Sequence, residues 1–201
     1  MVSERIGLLG GTFDPIHYGH LLLAEEARQA IPLERVVFAP AGQPPHKLGE
    51  PHAPPEHRLR MLELALADQP AFSISRVDLD RPGPHYSVDM LRLVHQEVGP
   101  NAELFFLMGM DSLANILTWR EPARLLELCR IIVAARPGVY ADMSPLRAAL
   151  PGIVERVLFL SMPQIEISGA DLRRRVASGR SIRYQVPETV RLYIEEHQLY
   201  R

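Results

Sequence analysis

Cysteine is almost absent: one residue, Cys129, in a chain of 201. No disulfide can form within the chain, and no Cys-rich structural zinc site can be built. Its surroundings, LLELCRIIVAA, are apolar, which predicts a buried structural thiol. Excess charge is missing as well. Lys and Arg total 22 against 24 Asp and Glu, a formal net charge of −2 with histidine neutral, so no bulk field draws the chain to nucleic acid or to an anionic membrane. No apolar run reaches membrane-spanning length, the opening MVSERIGLLGG lacks the apolar centre of a secretory signal, and there is no internal repeat or low-complexity tract. A cytoplasmic protein with no nucleic-acid or membrane partner is expected, and a homo-oligomer is compatible with all of this. The hydrophobic content of 47% is ordinary for a globular chain and sufficient for one large domain over residues 1–201.

Short apolar runs alternate with longer amphipathic ones. RIGLLGG reads as a buried strand and Gly19–Ala30 as a helix, with Leu21, Leu22, Ala24, Ala27 and Arg28 spaced for one face. ERVVFAPA is a second strand, and residues 41–55 (AGQPPHKLGEPHAPP) are a Pro/Gly-rich loop long enough to be suspected of closing on a ligand. Further along, PEHRLRMLELALADQ reads as a helix, FSISRVDLDRPG as a strand and turn, SVDMLRLVHQEV as a helix and AELFFLMGMD as a strand. SLANILTWREPARLLELC is helical with a break at Pro122, RIIVAARPG is a strand, residues 143–150 a short helix and ERVLFLSM a strand. Gly169–Ser178 and Pro187–His197 close the chain as helices, forming a small helical region over about 165–201. Alternation of this kind predicts an α/β fold, Rossmann-like and doubly wound, with a mainly parallel sheet and helices on both faces. Ligands bind such sheets beyond the carboxyl ends of the strands, and Gly10–His20, Ala41–Lys47, Gly109–Asp111 and Arg136–Gly138 all follow strands.

The densest of these segments is GGTFDPIHYGH, Gly10–His20. Gly10 and Gly11 expose peptide N–H groups at a strand end, and the next helix directs its N-terminus at the same place, so a phosphate is the natural guest. The P-loop spacing is absent, and so is the Gly-x-Gly-x-x-Gly fingerprint. His17 and His20, three apart, can face one ligand. A metal pair would want a third ligand and a carboxylate base, which this segment does not supply, and a purely structural role is the remaining alternative.

GGTFDPIHYGH resembles the signature of the nucleotidyltransferase superfamily, written His-x-Gly-His. The fuller text is similar to the bacterial nicotinate-nucleotide adenylyltransferases through PAGQPPHK (Pro40–Lys47), GPHYSVDML (Gly83–Leu91), GMDSLANILTW (Gly109–Trp119), RPG (Arg136–Gly138) and ISGADLRRR through YQVPETVRLYIEEHQLY. The resemblance spans essentially the whole chain, in order. It departs at Ala170, where a hydroxyl residue is usual, and at Met110, where a small residue is common.

The resemblance implies ATP and nicotinate mononucleotide as substrates, Mg²⁺ arriving with ATP, and in-line attack of the mononucleotide phosphate on the α-phosphorus with departure of pyrophosphate. It implies His17, His20 and Arg173 as the phosphate-stabilising catalytic groups. Gly10, Gly11, Thr12, Phe13, Gly109, Asp111 and Ser168 would serve ATP, although Phe13 by its own character is a packing residue. His46, Lys47, Tyr86, Ser87, Trp119, Arg120 and Arg136 would serve the mononucleotide. Bland roles stand beside several of these: turn capping for Thr12, turn support for Asp14, a helix N-cap for Asp111 and a structural ion pair for Arg136. Arg174 and Arg175 read as surface, and His52 and His57 as solvent-facing. Related readings are a nicotinamide-preferring enzyme, a pantetheine-phosphate adenylyltransferase (such chains are shorter and lack the PPHK and ILTW context) and a silent nucleotide sensor. Retention of His17, His20 and Arg173 speaks against the sensor.

Overall fold

The computed structural model describes residues 4–43, 52–135 and 142–201. Six strands form one sheet: β1 (Glu4–Gly11), β2 (Arg35–Pro40), β3 (Phe72–Ile74), β4 (Ala102–Gly109), β5 (Arg130–Ala135) and β6 (Val157–Ser161). Their order is β3-β2-β1-β4-β5-β6, and every neighbouring pair is parallel. This is the 3-2-1-4-5-6 order of doubly wound nucleotide-binding sheets.

Side-chain alternation along the strands builds two cores. Leu9, Val36, Phe38, Phe105, Leu107 and Ile132 point to one face, where they meet α1 (Tyr18–Ala30), α2 (Pro55–Leu66), α8 (Gly169–Ala177) and α9 (Glu188–Glu196). Ile6, Leu8, Val37, Leu104, Phe106 and Met108 point to the other, covered by α3 (Ser87–Val98), α4 (Met110–Ala114), α5 (Pro122–Leu128), α6 (Ser144–Ala149) and α7 (Ile153–Arg156). The strands are therefore apolar on both sides. The closing helices α8 and α9 are no appendage: Leu172, Val190 and Ile194 join the same core as α1 and α2.

Two local expectations need adjusting. In α1 the fully buried residues are Leu23, Ala24 and Ala27, while Leu21 and Leu22 pack against the core from its edge. The stretch after β4 divides into α4, a 3-10 turn at Ile116–Thr118 and α5. The break falls at Glu121, which has a left-handed φ of 49° directly before Pro122. Pro122 has no N–H to continue the helix and disfavours helical backbone at the residue before it. Cys129 is buried, its thiol donates to the Leu125 carbonyl at 3.4 Å, and burial pushes its pKa up to about 12. Among the described residues no helix is long and apolar enough to cross a membrane.

Candidate active site

β1 and β4 lie side by side, yet the chain leaves them toward opposite faces: α1 packs in one core and Leu113 of α4 in the other. The divergence leaves a crevice beyond their carboxyl ends. A cavity of about 840 Å³ opens there. Its walls come from the β1–α1 turn (Gly10, Gly11, Thr12, His20), from α4 (Asp111, Ser112, Asn115) and from a far side carrying Tyr86, Ser87, Trp119 and Arg120. Its volume lies toward the upper end of the ~300–1,000 Å³ usual for small-molecule sites.

The glycines of the turn are spaced for contact. A Cβ on Gly10 would sit 3.0 Å from Met90 and one on Gly11 3.1 Å from the Phe13 ring, so the backbone stays bare where it faces the cavity. Phe13 is buried at 1% exposure and turns over with φ 48°, which places its ring edge-on to His20 at 5.1 Å between centroids. Phe13 thus packs, and the Asp14-Pro15 bond that follows it is cis.

The two histidines differ. Their rings stack at 3.7 Å, but His20 lines the cavity whereas His17 lies behind it at 6% exposure. His17 is the N-cap of α1, and its backbone N–H donates to His20 Nδ1 at 3.4 Å. With Nδ1 accepting, the His20 proton sits on Nε2, so this ring offers a donor. Burial lowers the His17 pKa to about 4, so His17 is neutral at physiological pH and contributes an N–H rather than a charge.

Arg173 is held against the turn. Its Nη1 donates to the Asp14 carbonyl at 2.8 Å and stands 3.5 Å from Asp14 Oδ2. A Cβ on Gly169 would lie 2.8 Å from that same carbonyl, so the glycine of ISGADLR lets α8 sit directly on the turn. Ser168 caps α8, its Oγ accepting from Asp171 N–H at 3.2 Å.

Asp14 and Arg58 form the framework of the turn. The Asp14 side chain is 1% exposed. Oδ1 accepts from the Tyr200 hydroxyl at 2.6 Å and from Ala53 N–H at 3.3 Å, while Oδ2 meets His52 Nδ1 at 2.9 Å. Burial, then the Asp14 carboxylate, pushes the Tyr200 hydroxyl well above its ordinary pKa, so it stays protonated and donates. Arg58, 2% exposed, donates to four carbonyls: Thr12 at 2.7 Å, Ala41 at 2.8 Å, Ala53 at 3.1 Å and Gly42 at 3.2 Å. Its fork thereby ties the end of β1, the end of β2 and the start of α2 together. Sequence reasoning passed over Arg58 and Tyr200. For Arg58 a signal existed, since Met61, Leu62 and Leu66 put it on the apolar face of α2.

On the far wall Trp119 packs edge-on to Phe106 at 6.1 Å, and the Arg120 guanidinium lies 4.7 Å above the Tyr86 ring. His85 and Asp78 line the same cavity and were also not anticipated. His85 Nδ1 accepts from Gln43 N–H at 2.7 Å, so its Nε2 carries the proton and donates to the Arg81 carbonyl at 3.1 Å. Asp78, 3% exposed, pairs with Arg81 at 2.7 Å; burial raises its pKa and the Arg81 hydrogen bond opposes the rise.

Of the site residues expected from sequence, Gly10, Gly11, Thr12, His20, Asp111, Tyr86, Ser87, Trp119 and Arg120 share the one cavity. His17, Phe13, Arg173, Ser168 and Gly109 do not line it. His46, Lys47 and Arg136 lie outside the described residues. Asp111 is not an N-cap: that position belongs to Gly109, leaving the Asp111 side chain to the cavity. The expectation that His52 and His57 face solvent is overturned. His52 meets Asp14, and His57 Nδ1 lies 2.8 Å from the Tyr193 hydroxyl on α9. Arg174 is a surface residue paired with Asp171. Met110 packs against the core, and Ala170 is exposed in the first turn of α8.

A model of the cytidylyltransferase-like family matches residues 8–175. A protein of Thermomicrobium roseum named probable nicotinate-nucleotide adenylyltransferase is 53% identical over 198 residues, covering 98% of this chain and 92% of that one. One of the same name from a Roseiflexus species is 51% identical over 201 residues, covering 100% of both. Among solved structures, nicotinic acid mononucleotide adenylyltransferase of Plasmodium falciparum complexed with NaAD superimposes with a TM-score of 0.78, covering 98% of this chain and 97% of that one. At 20% identity the last likeness is one of fold.

Proposed function

The chain belongs to the nicotinate-nucleotide adenylyltransferases of the cytidylyltransferase-like family, and on that premise we propose that it transfers the adenylyl group of ATP to nicotinate mononucleotide. The products are nicotinate adenine dinucleotide and pyrophosphate, and the setting is NAD biosynthesis in the cytoplasm. The observation that carries this is the single cavity at the β1/β4 switch point. It joins a bare-backbone turn with a histidine donor at one end to an indole, a phenol and a guanidinium at the other.

In the reaction a 5′-phosphate oxygen of the mononucleotide forms a bond to the α-phosphorus of ATP. The bond from that phosphorus to the bridging oxygen breaks, and its electron pair leaves with pyrophosphate. The attacking oxygen is already anionic, so no general base is required. Positioning and charge stabilisation supply the acceleration. The bare backbone of Gly10, Gly11 and Thr12 on the cavity wall receives phosphate oxygens. His20 donates through Nε2–H, His17 holds its ring from behind, and Arg173 bears on the same phosphates from the base of the turn. Asp111 accepts from the adenosine ribose, with Gly109 leaving room beside it and Ser168 presenting α8.

The pyridine ring stacks on Trp119. Backbone N–H groups at Trp119 and Arg120 and the Ser87 hydroxyl receive its carboxylate, Tyr86 shapes the pocket, and the nearby guanidinium of Arg120 favours the acid over the amide. His46, Lys47 and Arg136 belong to this substrate side by motif. Mg²⁺ enters with ATP. The cavity is roomy enough to admit an ion carried on the ATP phosphates. When bound, it neutralises charge on the departing pyrophosphate.

The test is pyrophosphate release with ATP and Mg²⁺, offering nicotinate mononucleotide and nicotinamide mononucleotide in parallel. A strong preference for the acid is expected. Comparable rates would show that the carboxylate pocket is misassigned, and no turnover with either would remove the enzymatic assignment.

A further inference from the structure

The buried carboxylate of Asp14 connects the phosphate-facing turn to the segment that follows α9. That segment doubles back sharply: Gln198 and Tyr200 both adopt left-handed backbone, with φ of 51° and 66°. Such conformations are disfavoured for non-glycine residues and persist where surrounding contacts demand them. Here the demand is visible. The turn carries the Tyr200 hydroxyl inward to Asp14 Oδ1, at 2.6 Å and 186 residues away in sequence.

We propose that Tyr200, acting through Asp14, is a positioning residue for Arg173. This rests on the assignment of Arg173 to the phosphates. The two oxygens of Asp14 are divided between tasks. Oδ1 is fixed by Tyr200 and by the Ala53 N–H, which sets the rotation of the carboxylate about its Cβ–Cγ bond. With that rotation set, Oδ2 faces His52 at 2.9 Å and Arg173 Nη1 at 3.5 Å. The same Nη1 is held by the Asp14 carbonyl, so one edge of the guanidinium is committed to the turn. A planar, five-donor guanidinium fixed on one edge has its remaining donors fixed in direction. Removing the Tyr200 hydroxyl leaves Oδ1 with only the longer contact to the Ala53 N–H, so the carboxylate gains freedom to rotate and Arg173 loosens, although Tyr200 itself never touches substrate.

A double-substitution cycle on kcat/KM tests this, with pyrophosphate release as the assay. Tyr200→Phe keeps the ring and its packing and deletes only the donor, so a melting temperature close to that of the parent is the fold control. In the parent chain Tyr200→Phe lowers kcat/KM roughly tenfold, the scale of one hydrogen bond to a charged group. In the Arg173→Ala background the same change costs less than about twofold, since there is no guanidinium left to aim. Asp14→Asn, which keeps an acceptor for Tyr200 and removes the charge opposite Arg173, gives the same dependence on background and serves as the second variant. Equal losses in both backgrounds would mean that Tyr200 supports the fold alone and would overturn the proposal while leaving Arg173 in place. No loss from Tyr200→Phe in the parent would overturn it too. Arg173→Ala without loss of activity would instead sink the assignment of Arg173, and the proposal with it.

Discussion

Arg58→Met is the perturbation with the largest calculable consequence. Methionine keeps most of the side chain's apolar stem, so the change deletes a cation and four hydrogen bonds of 2.7–3.2 Å while leaving packing largely intact. Hydrogen bonds to charged groups contribute roughly 1.5–3 kcal/mol each, so four would sum to roughly 6–12 kcal/mol if nothing opposed them. Desolvation opposes them: burial pulls the Arg58 guanidinium below its ordinary pKa, with the Asp14 carboxylate acting against that pull. Deleting the charge recovers several kcal/mol of that penalty. The carbonyls of Thr12, Ala41, Ala53 and Gly42 then lose the donors that Arg58 supplies, and the net cost falls at about 3–5 kcal/mol, the range for breaking a buried ionic arrangement. For a chain of this length that corresponds to a fall in Tm of roughly 10–15 °C by circular dichroism. Arg58→Lys should recover less than half of the loss, because a compact ammonium cannot span carbonyls on three chain segments. A shift below about 4 °C in Arg58→Met, or full recovery in Arg58→Lys, would refute the view that the fork holds the turn together.

Two further outcomes follow from the site. His17 has a folded pKa of about 4 against an ordinary 6.5, so as pH falls below 6.5 the unfolded chain takes up the proton first. Stability is therefore full above pH 6.5 and drops by about 3 kcal/mol on the way to pH 4. Urea unfolding across that window should show the loss in the parent and a flatter profile in His17→Asn, and parallel profiles would contradict it. Trp119 is the only tryptophan, so its fluorescence reports one wall of the cavity. Nicotinate mononucleotide should quench it and ATP alone should change it little; an equal response to both would place the pyridine elsewhere.

The strand–helix alternation was legible because it is written locally. Apolar runs end at glycine or proline, and a helix start such as Pro55 is marked by the residue itself. The cavity was legible for the same reason, since most of its wall comes from short motifs at strand ends. What the sequence hid are partners joined across long separations. Arg58 reaches Thr12 across 46 residues, His57 reaches Tyr193 across 136 and Tyr200 reaches Asp14 across 186. An arginine in an amphipathic helix carries no local mark of burial beyond its phase with Met61 and Leu62. His52 looked solvent-facing because its partner is a carboxylate belonging to a different motif. The left-handed Glu121 that splits the helix after Trp119 had only Pro122 to announce it.

The link between Asp14 and Tyr200 has a consequence in time. A ribosome makes the turn early and its last tether late: at roughly 5–20 residues per second, the 186 further residues from Asp14 to Tyr200 take about 10–40 s to synthesise. Through that interval β1, α1 and β2 can pair and bury their apolar faces, while the carboxylate at the heart of the turn waits for a hydroxyl not yet translated. A nascent chain arrested anywhere between residues 20 and 200 would carry every phosphate-facing residue of the motif and still lack that tether.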